Sequence, residues 1–161
     1  MTVGARIRFV LVAVILAAVY FYLLVYLIGW MGARERPGWW LGVFPSRRAA
    51  AIVWLVALHT GAVLSAAFPV AAAAVIVTRK AAVLLGLSAA VLATVVAVLP
   101  SLSPTMWPVV WGGHPVFFVT DQIELIVAVP FLAWVIRGAS SNNRFERSRV
   151  VAASVSQGGG R

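Results

Sequence analysis

Residues 115–137 read PVFFVTDQIELIVAVPFLAWVIR, and this stretch settles whether the chain crosses a membrane three times or four. It holds thirteen Val, Ile, Leu and Phe residues between Val116 and Ile136. At roughly −0.3 to −0.6 kcal/mol each they favour insertion by about 4–8 kcal/mol. Against them stand Asp121 and Glu124. A central acidic residue costs about 2.5–3.5 kcal/mol, and an off-centre one less. The balance favours a membrane helix that gains from polar partners. Its end is marked by Arg137 and Gly138, a basic last turn followed by a C-terminal glycine.

The rest of the chain makes this reading natural. Of 161 residues, 63% are hydrophobic and only 11% are charged, against about 25% charged in soluble domains. The mean hydropathy is +1.01. A body of this size cannot bury so much apolar surface from water. A span requires about 20 mostly apolar residues, and uncharged runs of that length occur at 9–33, 49–78 and 81–120. The last is broken after Leu99 by Pro100, Pro104, Pro108, Gly112, Gly113 and Pro115. The expectation is an all-α polytopic membrane protein: a four-helix up-down bundle over 1–138, with helices near 8–31, 50–77, 81–99 and 115–137. Arg6 and Arg8 precede the first run, which is too long for a secretory signal and lacks a small-x-small cleavage site, so it reads as an uncleaved anchor.

The 13 Lys and Arg residues outnumber the four acids, for a net charge of +9. Every basic residue lies at or beyond a predicted helix end or in a loop, apart from Arg8 at the first helix's start. With both termini cytoplasmic, nine fall inside and four outside, which the positive-inside rule favours. Arg34, Arg36, Arg47 and Arg48 are the four on the outer side. The expected location is the cell inner (plasma) membrane. Trp30, Trp39 and Trp40 flank the first loop, and Trp107 and Trp111 lie in the third, as residues of an interfacial belt would. The uncharged third loop, 101–114, is expected at the membrane surface or dipping into it.

Helix contacts in lipid favour small residues. Gly61 and Ser65 are spaced four apart, as are Gly86 and Ala90. Pro69 and Pro130 fall inside predicted helices. Each removes one backbone donor and predicts a kink.

Depth along the helices places polar groups in one layer. His59 lies about 13 Å below the outer surface, Asp121 about 9 Å, Glu124 about 13 Å, Tyr22 about 13 Å and Thr94 about 8 Å. Intramembrane ionisable groups mark functional positions. Asp121 and Glu124 share a helix face, and no Lys or Arg lies within the central spans to neutralise them. The expected contact is from Glu124 to His59 or Tyr22.

Enzyme motifs are absent: the chain has no phosphate loop, HExxH or GxSxG. Zero cysteines exclude disulfides and thiolate chemistry. Two histidines and two nearby carboxylates have no local metal-ligand spacing, so neither a metal nor a cofactor is expected. The expected partners are the lipid bilayer and either a second copy or another membrane protein, and not nucleic acid. Three functions follow: a scaffold or accessory subunit, a proton- or cation-coupled transporter or channel component, and a membrane enzyme using Asp121 and Glu124 on a lipid-phase substrate. Small size and sparse chemistry favour the first.

Residues 139–161 are rich in Ser, Arg and Gly, without apolar periodicity, and are expected to form a disordered basic tail. Within them the string from Asn142 to Arg149, NNRFERSR, resembles the tails of small bacterial hypothetical membrane proteins from mobile gene cassettes. That resemblance implies no activity. It implies that DNA constraints shape the tail's sequence.

Overall fold

The computed structural model describes the backbone of residues 3–33, 37–102 and 115–158. Burial is described for 3–31, 33, 37–100 and 118–140. The described residues form helices and no strands. In chain order these are α1 (Val3–Gly32), α2 (Trp40–Val43), α3 (Arg47–Val77), α4 (Ala82–Val98), a 3₁₀ turn (Leu99–Leu102) and α5 (Pro115–Gly158). Three segments are long and apolar enough to cross a membrane: Val3–Met31, Arg47–Val77 and Phe118–Ser140. The helix α4 is apolar but shorter, at 17 residues. The third loop's expected surface position falls on residues 103–114, outside the described residues, as do Trp107, Trp111 and His114.

On α3 and α4 the buried faces are built mainly from small residues, while many large apolar side chains face outward. On α3 the buried stripe is Ala62, Val63, Ala66, Ala67, Val70, Ala71 and Ala74; on α4 it includes Ala82, Leu85, Gly86, Ala89, Ala90 and Ala93. Both follow the three-and-four spacing of one helix face. Outward stand Leu11, Ile15, Leu55, Phe68, Ile76 and Phe131. A soluble protein does the reverse. In lipid, large apolar groups gain nothing by leaving the exterior, while small ones let backbones approach and gain dispersion contact.

Gly86 shows this most directly. A Cβ there would lie 3.2 Å from Val129 Cγ1 and 3.6 Å from the Pro130 backbone. The other predicted small-residue pair behaves differently: Gly61 has nothing within 4 Å of its Cβ position, and Ser65 is exposed. The order around the bundle is α1–α3–α5–α4, with α1 and α5 on opposite corners. Tyr20 reaches across from α1 and donates its hydroxyl to the Leu125 carbonyl of α5 at 3.1 Å, fully buried.

Helix ends depart from expectation for local reasons. The start of α3 lies a turn before residue 50 because Ser46, extended at φ −145° and ψ 150°, accepts a hydrogen bond from the Ala49 amide at 3.1 Å. A serine cap satisfies one orphan donor of the first turn. Trp40 ties the short α2 to this end. Its Nε1 donates to Ala50 O at 2.8 Å, and its ring meets those of Trp39, Phe44 and Trp54. Pro69 and Pro130 both sit within continuous helices.

The last helix does not stop at Arg137. It runs to Gly158, through most of the segment read from sequence as a disordered tail. Gly138 does not adopt the left-handed conformation of a C-terminal cap, and no Gly or Pro occurs between Ala139 and Gln157. Without a breaker the helical backbone continues past the apolar stretch.

Candidate functional site

The site lies where α3 meets α5. On α3, His59 stands three and four residues before the buried Ala62 and Val63, so it extends the same stripe by one turn. On α5, Asp121 and Glu124 precede Leu125, Ala128 and Val129 in the same way. The two stripes that hold the helices together thus end in three ionisable groups.

Those groups converge. His59 Nε2 is 3.7 Å from Asp121 Oδ1 and 3.9 Å from Glu124 Oε2. One ligand-capable atom from each residue lies within 4.8 Å of the others. Both distances exceed hydrogen-bond length, and His59 Nε2 is a buried nitrogen with no hydrogen-bond partner. The side chains of His59 and Glu124 are 27% exposed and that of Asp121 is 45% exposed. The cluster therefore opens to one side through Asp121.

Of the remaining members of the expected layer, Tyr22 faces away from the bundle and Thr94 faces into it. Tyr22 is 69% exposed on the outside of α1. The buried positions of that helix are Ala13, Leu16, Ala17, Tyr20 and Leu24, and two residues along a helix turn a side chain about 200° away from them. Depth along the axis selected Tyr22; rotation about the axis selects Tyr20. Thr94 faces inward on α4, is 7% exposed, and has a hydroxyl oxygen without a hydrogen-bond partner. Gln122 Oε1 is also buried without a partner. The sequence reading did not single out Gln122 or Tyr20's bond. Extending each buried stripe at three-and-four spacing finds both: Tyr20 stands three residues after Ala17, and Gln122 stands three before Leu125 and seven before Val129.

The expectation that no metal-ligand set exists rested on spacing along the chain. Spacing says nothing about His59, because it enters from a separate helix. The three groups can hold a proton, form an ion pair if His59 is protonated, or ligate a cation. No family model, curated protein or solved structure matches the chain.

Proposed function

We propose that this is a four-span membrane protein acting as a cation-coupled component of a transporter or channel, with both termini on the cytoplasmic side of the inner (plasma) membrane. The fourth span is α4 with its 3₁₀ continuation. At 1.5 Å and 2.0 Å per residue the two rise about 33 Å, which matches a hydrocarbon core of roughly 30 Å. The observation that carries the function is the convergence of His59, Asp121 and Glu124 between helices whose apolar stretches, 49–78 and 115–136, contain no Lys or Arg. Acidic groups in such a place are costly and mark ion paths.

The test is flux across vesicles. Reconstituted protein is given an imposed proton or divalent-cation gradient, followed with a trapped pH- or metal-sensitive dye. Wild type should dissipate at least one gradient faster than Glu124→Gln. Equal rates in the two proteins would remove the coupling role.

A second reading, a scaffold or accessory subunit, is favoured by a different observation. An apolar groove of about 490 Å³ runs between α1 and α4, lined by Phe9, Val10, Ala13, Leu87, Val91 and Leu92 together with Ser88. Stable copurification of a second membrane protein, lost on substitution of the exposed groove residue Val10 (Val10→Trp), would support it.

A further inference from the structure

We propose that His59, Asp121 and Glu124 form a three-ligand site for a single zinc ion. The inference rests on the reading that this layer receives a cation, and it names which one.

Geometry comes first. Zinc binds imidazole nitrogen and carboxylate oxygen at about 2.0–2.2 Å, so tetrahedral ligands stand about 3.4 Å apart. The observed 3.7 and 3.9 Å from His59 Nε2 to the two carboxylates need a few tenths of an ångström of closure, and the three atoms, all within 4.8 Å of one another, are drawn together by side-chain rotation. In the absence of a cation those distances are too long for hydrogen bonds. They leave His59 Nε2 buried and unpartnered, which is costly for a polar nitrogen. An ion between the three atoms would satisfy it.

Charge gives the second argument. Two carboxylates face one imidazole, and even a protonated His59 would leave one negative charge uncompensated. A divalent cation offsets both. Asp121 and Glu124, three residues apart on one helix, project together, the spacing at which metal-binding bundles set two ligands on one helix.

The donor set narrows the ion. One nitrogen and two oxygens, with no thiolate anywhere in the chain, disfavour copper(I) and iron–sulfur chemistry. Magnesium and calcium seek six or more oxygens. Zinc accepts three protein ligands and keeps a fourth position for water or substrate, and the half-exposed Asp121 side of the cluster leaves that position reachable.

The experiment uses the full chain, purified in detergent with an affinity tag free of histidine and stripped with EDTA. Zinc titration against a chromophoric chelator should show one ion per chain, not displaced by a thousandfold excess of magnesium. His59→Gln, Asp121→Asn and Glu124→Gln should each weaken binding by more than the roughly 10–100-fold typical of outer-shell partners. His114→Gln, which changes the chain's other histidine, should leave it unchanged. X-ray absorption of zinc-loaded wild type requires no variant and should show a nitrogen/oxygen shell containing one imidazole. Failure of wild type to bind saturably, affinity retained in all three variants, or a shell with no imidazole or with two would overturn the proposal. Zinc binding without any gradient dissipation would leave the metal site standing and remove the transport role. Gradient dissipation that depends on Glu124, in a protein that does not bind zinc, would do the opposite.

Discussion

Two stretches of α5 make opposite use of the same helix. Around Val129 and Pro130 it presses backbone-close against Gly86 of α4, within the buried hydrophobic cluster. One to two turns earlier, at Asp121 and Glu124, it faces His59 across a gap that no hydrogen bond closes. The first region is tightly packed, and its contacts are of the kind that hold helices together in lipid. The second is loosely packed, partly open and chemically rich. Stability and chemistry are separated along one helix, so substitutions in the two places should separate as well.

The largest effect is expected in the seam. Gly86→Leu forces a side chain into Val129 and the Pro130 backbone and should cost about 3 kcal/mol in denaturant unfolding in detergent. Gly61→Leu, with open space at its Cβ, should cost less than about 1 kcal/mol. Equal losses at the two glycines would mean that the close α4–α5 approach is not what holds the bundle.

A smaller effect is expected at the tyrosines of α1. Tyr20→Phe removes the buried bond to Leu125 O and should destabilise by about 0.6–1.7 kcal/mol, the range for single hydrogen bonds between membrane helices. The exposed Tyr22→Phe should be neutral within about 0.5 kcal/mol. A larger cost at Tyr22 would contradict its outward placement. Ser46→Ala removes the cap of α3 and should cost about 0.5–1 kcal/mol, read as a small fall in thermal midpoint. The smallest structural effect belongs to the site itself. Glu124→Gln keeps shape and removes charge where no hydrogen bond is made, so helicity by circular dichroism should be unchanged while flux and zinc affinity fall. Lost helicity would make Glu124 part of the framework.

Much of the architecture was legible in the sequence because membrane helices declare themselves through composition. The helices α1, α3 and α4 lie close to the first three expected spans, since hydropathy and the Pro/Gly breaks act locally. The site was half legible. His59, Asp121 and Glu124 stood out as ionisable groups at similar depth. Tyr22 also stood at that depth, yet points outward, because depth ignores rotation about the helix axis. The convergence of the three groups was hidden, as two of them stand one turn apart on α5 and the third comes from α3.

By itself, the sequence determined the apolar segments: uncharged runs long enough to span a membrane, basic residues at their ends, and a few polar groups that hydrocarbon would make expensive. Only the tertiary structure decided which faces meet, that α3 and α4 rather than α1 flank α5, and that α5 continues past Arg137. The reason is physical. Hydropathy is a property of each residue and its immediate neighbours, whereas the rotation and pairing of helices in lipid depend on which small surfaces fit closely, and that fit exists only between segments distant in the chain.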